Sequence, residues 1–278
     1  MVLDMKVHVY TLKGEPKEEI KPAKAFSEPI RRDLIKKAFL AEQYRKRQSY
    51  GTDILAGKRT SAHYHGRRGI KHSMMNRELS RMKRIHGSGF LHLTARFVPQ
   101  AVKGRKAHPP KSEKIWHIKI NKNEKRKALL SAIAATVNKN IVASRGHVVE
   151  NVKDLPIVFE DKIQELSNIK EFLAVMDAVG LRDELKRAKK KKIRSGKGTG
   201  RGRKYKKKCG PLLVIKEDKG ITKAIRNIPG VEIVNVKELS VGVFAPGAEP
   251  GRLTLWAKSA VQSLDNIGER DEKEQKVG

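Results

Sequence analysis

The sequence predicts an α/β fold, in which helices flank a mostly parallel sheet in a layered, Rossmann-like domain that carries a long extended internal loop. Short apolar runs alternate with amphipathic segments, as they do where crossover helices join parallel strands. Apolar periodicity is lost between residues 45 and 113. The chain has 62 Lys and Arg against 30 Asp and Glu, a net charge of +32. We therefore expect a globular domain at 1–44 and 114–267, a basic insertion at 45–113 and a polar tail at 268–278.

The first folded stretch predicts a strand followed by a helix. Residues Met5–Leu12 alternate in polarity and are rich in β-forming residues, which indicates a strand. Ser27 is the expected N-cap of a helix that has Pro29 in its first turn and runs to about Tyr44. The apolar positions of this helix recur at helical spacing: Ile30, Leu34, Ala38 and Ala41.

The segment 45–113 contains 17 Lys and Arg, three acids, seven glycines and six of the nine histidines. A loop this long is uncommon inside a compact domain unless it has a function. Two interpretations are a disordered basic tether and a segment that orders on a partner. Aromatic and apolar residues among the charges favour insertion between RNA helices and unstacked bases. The pattern also allows a short helix around Met75–Ile85.

Folded character returns after residue 113. Lys114–Ile120 alternates like a strand, and a helix is expected at Asn123–Asn138, capped by its first residue. Pro156–Phe159 is a short apolar run typical of a buried strand. Asn168 is expected to cap a further helix that ends at Gly180. The inner face of that helix is predicted to comprise Phe172, Val175, Met176 and Val179.

A second basic zone, residues 182–208, has 15 Lys and Arg against two acids. It begins as a charged helix and continues into a glycine-rich run. The part that follows alternates strands and helices again, which completes the α/β pattern. The expected order is strand Pro211–Lys216, helix Ile221–Ile228, strand Val231–Val236, strand Leu253–Trp256 and helix Ala257–Leu264.

The net charge favours a polyanionic partner, because like charges repel one another in a compact protein. Nucleic acid fits, since Lys and Arg release the counterions condensed on its phosphates. A membrane partner is not expected, because no apolar run approaches the roughly 20 residues of a spanning helix and the N-terminus lacks the layout of a signal peptide. We expect a cytoplasmic protein whose single cysteine, Cys209, is a packing residue.

The run Gly196–Gly202 invites comparison with a nucleotide-binding loop, which needs a strand before it and a helix after it. Here a lysine-rich helix precedes the run, basic residues follow it, and the glycine spacing does not match either common motif. We predict a flexible basic strip whose glycines let the backbone lie close to RNA phosphates. A solvated linker is the alternative, and no cofactor is expected.

His63, His65 and His72 invite a metal-site interpretation, because side chains at i and i+2 of an extended chain point the same way. No carboxylate or cysteine accompanies them, and neighbouring Arg and Lys residues would repel a cation. The sequence therefore predicts no metal site. The histidine rings and the ring of Tyr64 are expected to stack on RNA bases, unless these are loop histidines with no specific task.

No catalytic centre is predicted. Catalysis needs a nucleophile with a base, or paired carboxylates with separated pKa values. The acids lie mostly on predicted helix faces beside Lys or Arg, where i,i+4 pairing accounts for them. Trp116 and Trp256 fall in or beside apolar strands, so core packing is their expected role.

Three stretches carry a resemblance to a known family. They are VPQAVKGRKAHPPK at 98–111, IRSGKGTGRGRKYKKKCGPLLVI at 193–215, and the Gly-, Arg- and Lys-rich pattern from Tyr50 to Gly69. Through them the chain resembles the universal large-subunit ribosomal protein number four family, in its archaeal and eukaryotic form. The resemblance covers nearly the whole chain, apart from about the last ten residues.

The resemblance implies a non-enzymatic structural constituent of the large ribosomal subunit, which binds large-subunit ribosomal RNA and neighbouring ribosomal proteins. In the family, a long internal extension threads through the RNA, and its tip helps line the polypeptide exit tunnel beside the nascent polypeptide. Carried onto this chain, the extension is about Arg45–Lys111 and its tip lies within Ser61–Phe97. The run 196–202 corresponds to a second RNA-contacting region.

The residues expected to bind RNA are the cations and rings of both basic segments: Arg45, Arg47, Lys58, Arg59, His63, Tyr64, His65, Arg67, Arg68, Lys71, Arg77, Arg81, Lys83, Arg84, Arg96, Lys103, Arg105, Lys106, Lys111, Arg194, Lys197, Arg201, Arg203 and Lys204. Close backbone approach to RNA is expected at Gly66, Gly69, Gly87, Gly89, Gly104, Gly196, Gly198 and Gly200. Two alternative functions are an RNA-modifying enzyme on a Rossmann-like sheet, which would need a cofactor loop after a strand, and a regulatory RNA binder that represses its own synthesis.

Overall fold

The computed structural model describes residues 7–265. The chain divides into two compact units, which we call the core unit (Met1–Arg45 with Ile118–Gly278) and the inserted unit (Lys46–His117). Within the described range, all helices and all strands longer than one residue belong to the core unit. The inserted unit consists of turns and bends with isolated β-bridges, His63 to Arg84 and Arg84 to Ala95.

The core unit is built on a six-stranded sheet. Its order is β2-β1-β3-β8-β6-β7, and β4 and β5 form a separate two-stranded hairpin. The pairing of β1 with β2 is antiparallel, whereas the other four pairings of the large sheet are parallel. The predicted α/β class with a mostly parallel sheet is therefore confirmed. The strands are β1 Val7–Tyr10, β2 Pro16–Ile20, β3 Ile157–Phe159, β4 Lys192–Ile193, β5 Tyr205–Lys206, β6 Leu212–Ile215, β7 Glu232–Asn235 and β8 Thr254–Ala257.

The helices alternate with these strands. They are α1 Arg32–Arg45, α2 Lys122–Ala134, α3 Lys139–Ser144, α4 Ile169–Ala178, α5 Arg182–Lys189, α6 Ile221–Ile225, α7 Val241–Phe244, and α8 at residues 258–265, where the described range ends. Short 3-10 turns occur at Lys24–Ser27, Asp161–Glu165, Val236–Glu238 and Pro246–Ala248. Each predicted element after residue 150 is confirmed, although most are a few residues shorter than expected.

The core lies around the central strands. All four residues of β6 and of β8 are buried, as expected for parallel strands covered on both faces. Trp256 of β8 is fully buried, with its ring centroid 5.8 Å from that of Phe244 and 5.5 Å from that of Phe26. Trp256 therefore has the core role that the sequence predicts for it.

The predicted start of the first helix is wrong. Ser27 ends a 3-10 turn, and α1 begins at Arg32. The hydroxyl of Ser131 on α2 accepts a hydrogen bond from Arg31 N (2.5 Å) and donates one to Pro29 O (2.7 Å). These tertiary hydrogen bonds engage the backbone that would otherwise form the first turn, so the helix starts later than the local capping signal indicates.

Two elements predicted around the inserted unit are absent. Lys114–Ile120 is not a strand, because no neighbouring strand pairs with it, and the Ile115 side chain is 82% exposed. Met75–Ile85 is not a helix, because Asn76 adopts a left-handed conformation (φ 55°) and Arg84 bridges to other segments. Alternation and helical spacing are weak predictors where no core exists to select them.

Smaller differences concern element ends. The second helix begins at Lys122, not Asn123, and ends at Ala134. The edge strand β2, which is mostly exposed and polar, was not predicted, because it carries no apolar alternation. Part of the predicted strand Met5–Leu12 and the predicted tail at 268–278 lie outside the described residues.

Replacing Gly180 with alanine is expected to destabilise the core unit by about 2–3 kcal/mol. Gly180 follows α4 with φ +83°, and a Cβ there would lie 2.8 Å from the carbonyl oxygen of Asn151. Gly146 has a similar φ of +91° but open space around it, so Gly146→Ala should cost only the backbone strain, about 1 kcal/mol. Urea unfolding of both variants checks this, and equal losses would contradict the steric explanation.

Candidate nucleic-acid interface

The glycine-rich run is the loop of the β4–β5 hairpin. Lys192 pairs with Lys206 and Ile193 with Tyr205. The loop is held by its own backbone, since Arg194 N donates to Lys204 O (2.8 Å) and Arg203 N to Gly198 O (3.0 Å). No helix follows it, so its amides lack the helix N-terminus of a nucleotide-binding loop. The loop exposes cationic side chains to solvent, namely those of Lys197, Arg201, Arg203 and Lys204.

A basic cleft of about 800 Å³ opens beside this hairpin in the core unit. α3, α5, the end of the hairpin and the turn at Pro246–Ala248 contribute to its walls. Glu249 is the one carboxylate in the lining. The cationic lining residues are Arg32, Arg145, Arg187, Lys190, Lys192, Lys206, Lys207 and Lys208. Such a concentration of one charge sign focuses a field that attracts phosphate groups.

Arg145 is a partly buried cation of the cleft. Its Nη2 donates to Pro246 O (2.6 Å), whereas its Nη1 is buried and has no hydrogen-bond partner in the protein. Burial also lowers the pKa of this guanidinium, which reflects an unfavourable environment for the charge. An anionic oxygen in the cleft would satisfy both the free donor and the charge.

A buried ionic network fixes one wall of the cleft. Glu184 of α5 is fully buried and accepts hydrogen bonds from His147 Nδ1 (2.7 Å), from Val148 N (3.0 Å), and from Nε and Nη2 of Arg187 (both 2.7 Å). Arg187 also donates to Cys209 O (2.6 Å). The guanidinium is thus held at the cleft by two carboxylate oxygens and a carbonyl.

In the inserted unit, most of the predicted RNA-binding side chains are exposed. The exposed ones are Arg47, Lys58, Arg59, His63, Tyr64, Arg67, Arg68, Lys71, Arg77, Arg81, Lys103, Lys106 and Lys111, whereas His65, Lys83, Arg84, Arg96 and Arg105 are half-buried. Arg45, at the end of α1 in the core unit, is exposed as well. Exposed cations can be reached by a polyanion from solvent.

Several cations of the inserted unit have intramolecular partners. Arg84 donates to Leu93 O (2.8 Å) and to Ser80 O and Oγ (both 3.1 Å), so it links its own segment to those of Ser80 and Leu93. Arg96 donates to Val102 O (2.7 Å), and Arg59 pairs with Asp53. The charges of Arg59, Arg84 and Arg96 remain near the surface, but some of their N–H donors already bind groups of the protein itself.

Aromatic rings of the inserted unit pair with cations. Trp116 stacks on Tyr50 with ring centroids 5.7 Å apart, and Arg47 and Lys114 lie 4.3 and 4.5 Å from the Trp116 centroid. The predicted core role of Trp116 is therefore wrong, because its ring packs among exposed and basic residues. Phe90 is 99% exposed. Such rings are suited to stacking on bases.

The eight glycines predicted to let the backbone approach RNA differ in the space around them. A Cβ at Gly104 would overlap Val98 O, so this position is needed for the chain to approach itself. Open space surrounds Gly69, Gly87, Gly89 and Gly196, whereas a Cβ at Gly66 or Gly198 would touch a neighbouring side chain and one at Gly200 would just reach Lys197 O.

The predicted histidines do not group as the sequence suggested. The rings of His63 and His65 lie beside each other and beside His86. The centroid distances are 4.4 Å from His63 to His65, 4.4 Å from His63 to His86 and 5.1 Å from His65 to His86. His72 lies next to His86, at 4.8 Å.

Sequence reasoning also missed Arg32 and Arg145 of the cleft, which lie far from either basic run; only tertiary structure brings them there. Within residues 7–265, no helix is long and apolar enough to cross a membrane.

Comparison with known proteins agrees with the resemblance seen in the sequence. The model of the family described as "Ribosomal protein L4/L1 family" matches residues 21–267. Large ribosomal subunit protein uL4 of Methanosphaera stadtmanae is 42% identical over 267 residues, which are 96% of this chain and 98% of that protein. The proteins of the same name from Methanococcus aeolicus and Archaeoglobus fulgidus are each 44% identical, over 94% of this chain and 99% and 98% of their own lengths. The chain therefore belongs to the ribosomal protein L4/L1 family.

Proposed function

We propose that this protein is a structural constituent of the large ribosomal subunit and binds large-subunit ribosomal RNA. The basic cleft of the core unit carries the proposal, because eight cations surround a single carboxylate and Arg145 keeps an unpaired buried donor. Phosphate oxygens supply the acceptors and the negative charge that this cleft lacks. Relatives that match nearly the whole chain are named as proteins of that subunit.

The inserted unit, in this proposal, threads through the RNA from about Arg45 to Lys111. It exposes large apolar side chains that a free protein would bury, among them Ile54 (82% exposed), Val102 (82%) and Phe90 (99%). Contacts with RNA bases and with neighbouring ribosomal proteins would cover them. Its tip, within Ser61–Phe97, helps line the exit tunnel beside the nascent polypeptide of cytoplasmic ribosomes.

The purified protein is expected to co-sediment with large subunits in moderate salt and to bind large-subunit ribosomal RNA with a steep salt dependence. Each phosphate neutralised contributes about −0.7 to −0.9 to the slope of log K against log salt, so six or more phosphates should give a slope steeper than about −4. Filter binding between 50 and 400 mM KCl measures it. A small-subunit RNA of equal length serves as the control, and equal affinity for both RNAs would contradict a specific place in the large subunit.

A photo-reactive amino acid at Phe90 is expected to crosslink to a stalled nascent chain in ribosomes that contain the variant protein. Phe90 lies in the proposed tip and is almost fully exposed, so the substitution disturbs no packing. The same amino acid at Lys122, an exposed position at the start of α2, is the matched control and should give no nascent-chain product. Crosslinks from Phe90 to ribosomal RNA alone would place the tip away from the tunnel.

A further inference from the structure

The inserted unit has too few buried apolar side chains to hold itself together. Between Lys46 and His117, Ala62 and Met74 are its buried apolar residues. A segment of this size usually needs a disulfide, a metal ion or a partner to become ordered. The single cysteine, Cys209, belongs to the core unit, which removes the disulfide from this set.

Three imidazoles lie close together in this unit. One ring nitrogen each from His63, His65 and His86 lies within 4.8 Å of the others. Backbone hydrogen bonds hold the three chain segments in place: His63 and Arg84 exchange two (3.1 and 3.2 Å), and Met74 N donates to His65 O (2.9 Å). The cluster is therefore anchored by pairing between segments about 20 residues apart in sequence.

The proton positions around the cluster suit a cation. His63 Nδ1 lies 2.8 Å from Ser61 O, and because a carbonyl only accepts, Nδ1 carries the hydrogen and Nε2 keeps its lone pair. Metal-binding histidines commonly orient their rings in this way. Both ring nitrogens of His86 are buried; the backbone of His63 lies near the ring, but neither nitrogen makes a hydrogen bond of good geometry within the protein. A buried imidazole with no partner needs a proton donor, a water or a metal ion.

We propose that His63, His65 and His86 bind a divalent late-transition cation, Zn²⁺ in the first instance, which clamps the turns of the inserted unit. Neutral imidazole nitrogens suit zinc, whereas Mg²⁺ and Ca²⁺ prefer oxygen ligands. A tetrahedral site with bonds of about 2.0–2.1 Å needs nitrogens about 3.4 Å apart. The ring nitrogens lie within 4.8 Å of one another, so metal binding requires the exposed His63 ring and the half-buried His65 ring to move closer, by up to about 1.4 Å.

The surroundings permit this binding although the unit is basic. Arg67, Arg68 and Lys71 are exposed, and solvent screens their repulsion of a cation. The ring of His72, 4.8 Å from that of His86, or a water supplies a fourth ligand. The inference revises the sequence-based expectation of no metal site, which considered His72 in place of His86.

Zinc titration of the metal-free full-length protein against a chromophoric chelator tests the site. The expected result is one Zn²⁺ per chain, with affinity at least tenfold weaker in His63→Ala, His65→Ala and His86→Gln. His108→Ala removes an exposed histidine of the same unit outside the cluster and should bind as the wild type does. Absence of stoichiometric binding, or equal loss in the His108 variant, overturns the proposal.

Two further measurements separate ligand loss from misfolding. Co²⁺ in place of zinc should give visible bands of a nitrogen-ligated tetrahedral site without an intense thiolate band, which excludes Cys209 as a ligand. Zinc alone should slow tryptic cleavage between Arg67 and Arg84 in the wild type but not in His86→Gln. If zinc leaves cleavage of the wild type unchanged, the clamp is wrong. Neither measurement includes RNA, so both test the zinc site even if the proposed RNA binding proves wrong.

Discussion

Replacing Glu184 with alanine is expected to lower the free energy of unfolding of the core unit by about 3–5 kcal/mol. Glu184 is fully buried and accepts four hydrogen bonds, including a bidentate pair from Arg187 and one from His147 Nδ1. Its removal leaves the Arg187 charge largely buried, with Cys209 O and the His147 ring as its remaining partners, and strands the Val148 N–H and the His147 donor. Urea unfolding followed by tryptophan fluorescence measures the loss, because Trp256 lies in the same core.

Asp183→Asn is the matched control for this variant. Asp183 is the adjacent residue of α5, and its ion pair with Lys186 (2.9 Å) is exposed on both sides. Exposed pairs contribute little, so the control should lose no more than about 0.5 kcal/mol. A loss below about 1 kcal/mol for Glu184→Ala would show that the network is not a stabilising element of the fold.

Acid should weaken the wild type through the same network. Burial lowers the pKa of His147 below its usual 6.5, although Glu184 opposes the shift. Burial alone would raise the pKa of Glu184, but hydrogen bonds from Arg187, His147 and Val148 outweigh it and bring the pKa below 4.5. Groups with a lowered pKa in the folded state stabilise above their unfolded pKa and lose that contribution as the pH falls. Stability should therefore decline below pH 6.5 and again below pH 4.5, and the second decline should be smaller in Glu184→Ala.

Replacing Lys206, Lys207 and Lys208 together with alanine is expected to weaken binding of large-subunit ribosomal RNA at least 100-fold in low salt. All three are exposed and line the basic cleft. Each phosphate that is no longer neutralised should make the salt slope about one unit shallower, so the triple variant should change it by about 2–3. Filter binding over a salt series measures both quantities. The folded state should be unaffected, because none of these side chains is buried.

The matched control removes the same charge elsewhere. Lys122, Lys125 and Lys127 are exposed on α2 and do not line the cleft. Their replacement with alanine should change the affinity less than tenfold. If the two triple variants weaken binding equally, then net charge rather than the cleft determines RNA affinity.

The core of the fold could be predicted because its signals are local. The apolar run of β6 and the apolar-helix pattern around Phe172 and Met176 are complete within a few residues, and burial in the structure agrees with them. Ser27 and Lys114–Ile120 show the limit of such signals. At Ser27, hydrogen bonds from Ser131 decide the helix start, and at Lys114–Ile120 no neighbouring strand exists to pair.

The candidate sites likewise combine features that the sequence predicts with features that depend on tertiary structure. The sequence by itself determined the α/β sheet and the two basic segments, because apolar periodicity and net charge accumulate residue by residue along the chain. Only the tertiary structure decided which groups meet: Arg145 reaches the lysines of the hairpin, and His86 rather than His72 joins His63 and His65. Proximity between residues about 20 to 60 positions apart depends on chain reversals and packing, to which no local pattern is sensitive.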